Sequence, residues 1–568
     1  MKKIIVLLLA VIMVFSLFAC APAQPPVNNN SNNSNNSNDG GNTNDDNSSE
    51  VPGITFPLAQ QETLTISIQL GGGTLEEMNQ QLAANVLWQE ILTKTNVRFE
   101  FVIWNESNIA AMFQTGKMGD LVICGGSGKT NLFNTFIADG LLLPLEDYAS
   151  SKALMPNLNK YVFEELPEAK AAFTSADGHI YSLGGYDANK IGYLEYPLWI
   201  NQKWLDKCGL DIPTTFEELE AALTAFKGDM NGNGRPDEIP CLMSSLENRG
   251  VEMLLSMWGI ATKDGANDNY VYVEDGEVKF VPQTETYKRF IKKMNEWWEN
   301  GLLYRDVFTG DYGTVQALYL ADVNDDVKVG LIGINNIATV RNAEDYVCLT
   351  PMPAEEGVEV SYQMHPGFMG NKTIFSIPKT SGNPELACAV MDLFYSPEYT
   401  IRSQYGETDS IWRNTNADGT FTPVTPDADT VAANRYTAKN KFDDANGYKM
   451  QFPTAKGKDF YELYQISEAD QRRVDALAQY EDAGVIADEI WPRPGYTAEG
   501  AETVAELRTD IFKLVETKRA AWITGQADID AEWDDFQDDL ISSDVEDFID
   551  ALQEAYDVWK QARDSAAK

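Results

Sequence analysis

The clearest alternation of apolar and polar residues lies near the start of the folded part of the chain. Residues 64–70, LTISIQL, alternate strictly, which predicts a strand with one buried face. Residues 97–103 and 120–124 also predict strands, and the stretches 76–94 and 107–116 between them have helical spacing. This order of elements predicts a parallel sheet of the doubly wound type and an α/β fold.

Ligands of such sheets lie beyond the carboxyl ends of the strands, so the loops that follow the strands are the first places to expect a solute. Tryptophan and histidine in other loops are further candidates, because the C–H faces of sugar rings stack on aromatic side chains. For each tryptophan, packing in the core is an equally good interpretation. The candidate solute contacts are Gly71, Trp104, Gly125, Gly126, Trp258, His365 and Trp412.

The first 20 residues have the features of a bacterial export signal. Lys2 and Lys3 precede an apolar run, IIVLLLAVIMVFSLFA, that ends at Cys20. The sequence Leu-Phe-Ala-Cys at 17–20 resembles the lipobox of bacterial lipoproteins, which predicts a lipid on Cys20. A plain secretory signal and an uncleaved anchor are the alternatives, although the run is short for a spanning helix of about 20 residues.

Residues 21–58 follow the signal and begin with a long tract rich in Asn, Ser and Asp. A tract with so few apolar side chains cannot offset the entropy of ordering, so we predict a disordered tether. Together with a lipid on Cys20, the tether predicts a protein anchored at the extracellular face of the bacterial cell membrane.

Charge and cysteine content narrow the possible partners. The 568 residues include 44 basic and 86 acidic side chains, for a net charge of -42. Nucleic acid and anionic lipid surfaces would meet a repelling field, which argues against both as partners. The five cysteines after Cys20 are isolated and odd in number, so we expect buried thiols and no disulfide framework.

The segment 229–240, DMNGNGRPDEIP, begins like an EF-hand calcium loop. Asp229, Asn231 and Asn233 occupy the first, third and fifth places, and Gly234 the sixth. An EF-hand has a bidentate Glu at the twelfth place, where this chain has Pro240. The residues alone leave two interpretations: a turn that only mimics a calcium site, or a site closed by other ligands.

Longer segments resemble a known family. The segment 196–240, from YPLWINQKWLDKCGL to the calcium-like loop, resembles large extracellular solute-binding lipoproteins of carbohydrate ABC importers, including the LipO-like and alginate-oligosaccharide-binding groups. Further matching segments are GLLLPLEDY at 140–148, DGHIYSL at 177–183, the stretch 287–308, KVGLIGIN at 328–335, the stretch 375–396 and the stretch 522–540. The resemblance covers most of the body of the chain in the expected order.

This resemblance implies two α/β lobes joined by a hinge, as in type II periplasmic-binding-protein folds. The expected N-terminal lobe comprises 59–190 and 362–430, and the expected C-terminal lobe comprises 191–361 and 431–568. The implied function is capture of a sugar or oligosaccharide and its delivery to the permease of an ABC importer, by a protein that we expect to be monomeric.

The resemblance also implies how the loop at 229–240 binds structural calcium. In the similar proteins, acids at the ninth and tenth places close the loop, and the seventh-place carbonyl is a further ligand. The implied ligands are Asp229, Asn231, Asn233, the Arg235 carbonyl, Asp237 and Glu238. This all-oxygen set suits calcium and offers no soft ligand for zinc.

The main alternative to a binding protein is a secreted calcium-dependent enzyme, such as a glycosidase or lyase. Two placed carboxylates would be needed, but none of the many acids lies in a recognisable catalytic motif. His179 and His365 belong to no metal-binding motif, and no GxSxG sequence is present. Binding without catalysis is therefore our prediction. A binder of a non-sugar solute such as a peptide, and a surface adhesin, are two further possibilities.

Overall fold

The computed structural model of the chain is an α/β structure with several sheets. It describes residues 51–70, 73–124, 130–167, 169–175, 177–188, 193–194, 196–243, 251–262, 269–306, 308, 312–320, 326–364, 374–426, 428–442, 448–449 and 451–566. We call the part built around the first sheet the N lobe and the part built around the second sheet the C lobe.

The first stretch of the N lobe runs from residue 62 to residue 187. Its elements are β1 (Glu62–Leu70), α1 (Leu75–Ala84), α2 (Val86–Thr95), β2 (Val97–Trp104), α3 (Ile109–Gln114), β3 (Leu121–Ile123), α4 (Thr130–Ala138), α5 (Glu146–Ser150), α6 (Pro156–Leu158), a π-helical turn (Asn159–Phe163), α7 (Ala169–Phe173) and β4 (Tyr186–Asp187).

The chain then forms the sheet of the C lobe. Its elements are β5 (Leu198–Asn201), α8 (Gln202–Cys208), α9 (Phe216–Ala225), β6 (Ile239–Leu242), a 3-10 helix (Val251–Trp258), β7 (Val271–Glu274), β8 (Glu277–Phe280), a 3-10 turn (Val281–Gln283), α10 (Glu285–Glu299), α11 (Tyr312–Tyr319), β9 (Val329–Gly333), 3-10 turns at Ile337–Thr339 and Ala343–Asp345, and β10 (Tyr346–Leu349).

The chain returns to the N lobe and afterwards ends on the C lobe. The returning elements are β11 (Phe375–Ser376), α12 (Pro384–Asp392), a 3-10 turn (Leu393–Tyr395), α13 (Pro397–Tyr405), β12 (Arg413–Thr415), β13 (Phe421–Pro423), α14 (Ala428–Ala433), β14 (Tyr448–Lys449), β15 (Ala455–Lys456) and α15 (Lys458–Tyr461). The final elements are α16 (Glu468–Asp482), α17 (Ala498–Ile523), α18 (Ile529–Ser542) and α19 (Val545–Ala566).

The N-lobe sheet confirms the parallel arrangement predicted from the alternating pattern. Strands β2 and β3 both run parallel to β1, whereas β11 pairs antiparallel with β3 and β14 antiparallel with β1. The polar face of β1 is covered as well as the apolar one, because Ser67 is fully buried and donates through Oγ to the Met118 carbonyl at 2.6 Å. The strand therefore has two buried faces.

The single helix expected over 76–94 is two helices. Asn85 separates them with an extended backbone, and its side-chain oxygen accepts from the Trp88 amide at 3.0 Å, which caps α2. Its side-chain nitrogen donates to the Asn440 carbonyl at 2.8 Å. A local cap and a contact with a distant segment therefore overrode a continuous helical pattern.

The C-lobe sheet has the strand order β10-β5-β9-β6 and is mixed. Strand β5 is antiparallel to both β10 and β9, and only the β6–β9 pair is parallel. Helices from the chain end, α17 to α19, contribute Phe512, Trp522, Phe536 and Phe548 to the core of this lobe.

Two predicted boundaries differ from the structure. The segment after residue 430 was expected in the C lobe, but β14 pairs with β1, and Phe452 and Ala455 are buried in the N-lobe core. Residues 51–58 were expected in the disordered tether, but Ile54, Phe56 and Leu58 pack against that same core. In both places apolar side chains have a buried partner that the local sequence does not reveal. Residues 1–50 lie outside the described chain.

Two further sequence expectations concern cysteines and membrane spans. The five cysteines after Cys20 are all free thiols; the prediction that they are buried is confirmed for Cys124, Cys241 and Cys388, whereas Cys208 and Cys348 are half-buried. None of the helices in the described ranges combines the length and apolar character needed to span a bilayer.

Candidate functional site

The carboxyl ends of the parallel strands define the edge of each lobe where a solute is expected. In the N lobe, β1, β2 and β3 end at Leu70, Trp104 and Ile123. In the C lobe, the parallel strands β6 and β9 end at Leu242 and Gly333. Four of the predicted contacts, Gly71, Gly125, Gly126 and His365, lie outside the described residues.

Trp104 does not face a cleft, contrary to its selection as a candidate contact. Its side chain has no exposed surface, and its indole nitrogen donates to the Ile123 carbonyl at 3.2 Å. Phe133 packs edge-on against it, with ring centroids 6.4 Å apart. A tryptophan at the end of a parallel strand is here a core residue that closes the space between the sheet and α4.

Trp258 and Trp412 are also buried in side-chain packing. Trp258 lies between Phe216 and Phe290, which meet it edge-on with ring centroids 5.2 Å and 5.1 Å away. Trp412 donates to the Asn440 side chain at 2.6 Å, and the Lys441 ammonium covers its ring at 3.9 Å from the centroid. Trp258 is 4% and Trp412 7% exposed, so core packing is the better interpretation of both, although Trp258 also contributes to the lining of a C-lobe cavity.

The segments that connect the lobes carry a polar and aromatic cluster that the sequence reasoning did not identify. Strands β4 and β15 pair in parallel, and the Lys456 ammonium lies 3.5 Å from the Asp187 carboxylate. The Tyr461 phenol donates to the other oxygen of Asp187. Burial and the Asp187 carboxylate raise the pKa of Tyr461, so the phenol stays protonated and acts as a donor.

The same cluster continues to the edge of the C lobe. The Tyr464 phenol donates to Asp470 at 2.7 Å, and the Arg473 guanidinium bridges Asp470 at 3.3 Å and the Asn335 side-chain oxygen at 2.7 Å. Asn335 lies two residues beyond the end of β9. We call Asp187, Lys456, Tyr461, Tyr464, Asp470 and Arg473 the hinge cluster.

Aromatic rings hold the hinge cluster in place. Phe460 is fully buried and stacks on Tyr464 with ring centroids 5.4 Å apart, and Tyr461 meets Tyr464 edge-on at 5.5 Å. The signal for this cluster in the sequence is the run DFYELYQ at 459–465, which has three aromatic residues in five positions. Neither residue spacing nor a motif marks Asp187 as its partner.

Three cavities in the described part of the chain have no residue of the hinge cluster in their lining. Cavities of about 630 Å³ and 980 Å³ are lined only by C-lobe residues, including Trp199 and Arg472 in the first and Glu274 and Arg289 in the second. A third, of about 50 Å³, lies between Asn134 of the N lobe and Arg493 of the C lobe. The first two cannot couple the lobes, and the third is smaller than usual ligand pockets of about 300 Å³ or more.

The calcium-like loop begins where a capped helix ends. Thr215 and Glu218 form a capping box at the start of α9, and the helix ends at Ala225. Gly232 and Gly234 then adopt positive φ angles of 81° and 77°. These angles favour glycine, so both residues let the backbone curl around the side chains of the loop.

The polar groups of the loop form hydrogen bonds with one another. Asp229 accepts from the amides of Gly232 and Gly234 at 2.7 Å and 3.1 Å. The Nδ2 atom of Asn233 donates to an Asp237 carboxylate oxygen at 3.1 Å, and the Nδ2 atom of Asn231 donates to the same oxygen at 3.5 Å. Sequence reasoning missed two neighbours from the segment just before β9, because Asp326 contacts Asn233 at 2.8 Å and Lys328 contacts Asp237 at 3.3 Å.

Glu238 is the side chain that best fits a cation. One of its oxygens accepts from the amides of Met230 and Asn231 at 2.7 Å and 3.2 Å, and the other is buried and has no partner in the described part of the chain. Beside it, burial raises the pKa of Asp237, but hydrogen bonds from Asn233, Lys328 and Asn231 lower it by more, so it lies below its usual value. The Asp237 carboxylate is thus available to a cation in its charged form.

The carboxylates of the loop do not form a metal cluster by themselves. Across the described ranges, no three His, Cys, Asp or Glu side chains are grouped so as to hold a metal ion, and this includes Asp229, Asp237 and Glu238. The implied set instead mixes three carboxylates with two amides and a carbonyl. Such sets of neutral and charged oxygens are usual for calcium.

Comparison with known proteins agrees with this architecture. A protein from Bifidobacterium longum infantis, described as an HMO-binding, ABC-transporter-associated solute-binding protein, superposes with a TM-score of 0.72 at 22% identity and covers 88% of this chain and 99% of its own. The Streptococcus pneumoniae substrate-binding protein FusA, solved as an EF-hand mutant with fructo-nystose, has a TM-score of 0.69 at 24% identity, with 88% and 99% coverage. The fold is therefore that of two-lobed solute-binding proteins.

Sequence comparison identifies the family. The model for bacterial extracellular solute-binding proteins matches residues 72–401, more than half of the chain. The protein therefore belongs to the bacterial extracellular solute-binding protein family. The fructooligosaccharide ABC transporter substrate-binding protein FusA of S. pneumoniae is 27% identical over 530 residues, which are 90% of this chain and 93% of FusA.

Proposed function

We propose that this solute-binding protein captures a sugar or oligosaccharide and delivers it to an ABC importer. The observation that carries the proposal is its similarity to FusA over 90% of the chain, because that relative is a fructooligosaccharide-binding protein of an ABC transporter. The net charge of -42 favours a neutral solute over a polyanion, because the negative field of the protein repels anions.

The mechanism that we propose is closure of the two lobes on the solute. A solute that contacts both lobes at once stabilises the closed arrangement by the difference between its affinities for the closed and open forms. The paired strands β4 and β15 lie where the chain passes between lobes, which suits them to act as the hinge. The closed form would then be the one that the permease recognises.

Isothermal titration with a panel of solutes tests the proposal. The panel contains neutral fructo-oligosaccharides, neutral glucose oligosaccharides, acidic oligogalacturonides and peptides. We expect a neutral oligosaccharide to bind and to contract the small-angle scattering curve. Binding of peptides alone, or binding without contraction, would contradict the proposed solute or the closure mechanism, respectively.

Chromatography of the same oligosaccharides after prolonged incubation distinguishes binding from catalysis. The family consists of binding proteins, so we expect the sugars to be recovered unchanged. Shortened or unsaturated products would instead support a secreted glycosidase or lyase.

We also propose that the mature protein is anchored through a lipid on Cys20. The support is the sequence before this cysteine, since these residues lie outside the described structure. In a bacterial host, the wild type should incorporate labelled fatty acid and stay with the membrane fraction. Cys20→Ser should lose the label and appear in the medium. Membrane retention of an unlabelled wild type would indicate an uncleaved anchor instead.

The third part of the proposal is that the loop at 229–240 holds structural calcium. Asp229, Asn231, Asn233, the Arg235 carbonyl, Asp237 and Glu238 would hold the ion, and the buried oxygen of Glu238, which has no partner among the described residues, supports this assignment. A calcium ion held here would offset two of the three carboxylate charges and would link the end of α9 to β6. Solute binding is expected to be independent of it, because the loop is not part of the hinge cluster.

Thermal unfolding in calcium and in EGTA tests this site. Ion binding to the folded state alone stabilises it by about 2.7 kcal/mol at a free concentration a hundredfold above Kd. Glu238→Gln should abolish the difference in Tm between the two buffers, whereas Glu356→Gln, an exposed change in the same lobe, should retain it. Identical curves for the wild type, with no metal found by elemental analysis, would show that the loop is only a turn.

A further inference from the structure

The hinge cluster lies on the segments that connect the two lobes. Asp187 and Lys456 belong to the two paired strands through which the chain passes from lobe to lobe. At its other end, Arg473 binds Asn335, just beyond the carboxyl end of β9, where ligands of such sheets lie. A solute enclosed between the lobes therefore meets this cluster.

The charged side chains of the cluster are accessible enough to contact a solute. About a fifth of each is exposed: 23% for Asp187, 21% for Lys456, 19% for Asp470 and 18% for Arg473. Each is already oriented by a partner, since Lys456 pairs with Asp187 and Arg473 with Asp470. Groups held in this way lose little conformational freedom when a ligand binds.

The chemistry of the cluster favours a neutral solute that is rich in hydroxyl groups. Two carboxylates accept hydrogen bonds and two cations donate them, so a solute hydroxyl group can either donate or accept a hydrogen bond here. The two negative and two positive charges cancel, which leaves little attraction for a polyanion. The rings of Tyr461 and Tyr464 are half-buried and offer apolar surface beside these groups, as sugar rings require.

Arg473 has an unused hydrogen-bond donor. Its terminal nitrogens bind Asp470 and Asn335, but its Nε is buried and has no partner within the described residues. A buried donor without a partner costs about 1–3 kcal/mol unless a water or a ligand oxygen satisfies it. The guanidinium therefore has capacity for an oxygen that the protein itself does not supply.

We propose that the hinge cluster is a solute-binding subsite that accepts hydroxyl groups of a neutral saccharide through Asp187 and Lys456 and places its ring against Tyr461 and Tyr464. This inference rests on the proposed function, because it assumes that the solute is a saccharide. The inference adds the residues that would contact the solute and gives a reason for the proposed preference for a neutral solute.

Tyr461→Phe and Asp187→Asn test the subsite in a protein that lacks only the export signal. Tyr461→Phe removes only the hydroxyl group that donates to Asp187 and keeps the ring, and Asp187→Asn removes the charged acceptor. The matched control is Tyr399→Phe, because that phenol also donates to a carboxylate, Glu90 at 2.9 Å, but this pair lies within the N lobe and does not belong to the hinge cluster. Affinity for nystose is measured by titration calorimetry, and Tm is recorded for every variant.

We expect Kd to rise about tenfold or more for Asp187→Asn and severalfold for Tyr461→Phe, since charged hydrogen bonds are lost. Tyr399→Phe should bind like the wild type. If both hinge variants keep the wild-type Kd, the subsite is refuted while the proposed function stands. The same conclusion follows if their loss of affinity only parallels their loss of Tm. If the wild type binds no neutral saccharide, the proposed function itself fails, and this inference with it.

Discussion

The two lobes complete their sheets in different ways. The C-lobe sheet is built from one stretch of chain, 198–349, and later residues add helices and a few loop side chains, such as Trp491 and Tyr496, to its core but no strand. The N-lobe sheet takes β1 to β3 from residues 62–123, but β11 comes from residue 375 and β14 from residue 448. The N-lobe sheet is therefore incomplete until most of the chain is present.

This difference predicts where the stability of each lobe originates. Contacts between residues far apart in sequence carry a larger entropic cost of loop closure. The stability of the N lobe should therefore depend on a few buried contacts made by returning segments. Changes in these N-lobe contacts should leave the stability of the C-lobe sheet unaffected. Hydrogen exchange of β1 and β9 amides reports on the two sheets separately.

Phe452→Ala should have the largest effect and should act on the N lobe. Phe452 stacks on Phe394 with ring centroids 4.0 Å apart and planes inclined by 9°, and it is buried in the N-lobe core. The loss of such a ring costs about 3–5 kcal/mol. We expect faster exchange in β1 and unchanged exchange in β9. Phe536→Ala, a comparable deletion in the C-lobe core, is the control and should show the reverse.

The pH dependence of Asp392 provides a second test of the N lobe. Burial raises the pKa of this carboxyl to about 6, although it accepts from the amides of Asn157 and Leu158. A folded pKa above the unfolded value of about 3.9 means that the stabilisation is present below about pH 4 and is lost as the pH rises through about 6. At neutral pH the loss is about 3 kcal/mol.

Asp392→Asn should remove this dependence, because the amide does not ionise. Relative to the wild type, the variant should gain stability in urea titrations as the pH is raised from about 4 to about 7. In the C lobe, Asp530 should behave oppositely, since Lys292 and Lys288 lower its pKa and its contribution is lost as the pH falls. If the difference in the free energy of unfolding between the wild type and Asp392→Asn does not change with pH, the raised pKa assigned to Asp392 is contradicted.

Calcium removal should affect the C lobe selectively. The proposed ligands lie between α9 and β6, both elements of the C lobe. With free calcium about a hundredfold above Kd, EGTA should cost about 2.7 kcal/mol. Exchange should therefore accelerate in β6 and β9, while β1 stays protected. Equal acceleration in both sheets would mean that the lobes unfold as one cooperative unit.

The smallest expected effect compares two matched helix caps. Thr74 with Glu77 caps α1 in the N lobe, and Thr215 with Glu218 caps α9 in the C lobe. Each Thr→Ala change should cost about 1 kcal/mol in urea unfolding. Because α9 leads into the calcium loop, Thr215→Ala should also weaken calcium binding, and Thr74→Ala should not. Thr224→Ala, an exposed change near the end of α9, serves as the control for a change in side-chain volume.

Local sequence signals were sufficient wherever the structure depends on neighbours in the chain. Strands β1 to β3 and the capping box of α9 follow from residues a few positions apart. The loop at 229–240 folds back on its own acids and amides as its spacing suggests. Such features are encoded by period and by side-chain-to-backbone hydrogen bonds, which a single sequence displays.

The sequence by itself also determined the family, because matching segments recur in order along most of the chain. Only the tertiary structure decided which aromatic residues are core and which flank the hinge. Trp104, Trp258 and Trp412 are covered by residues far away in sequence, and Asp187 meets Lys456 and Tyr461 across more than 260 residues. Burial and long-range pairing depend on the whole packing of the lobes, so no local pattern of residues specifies them.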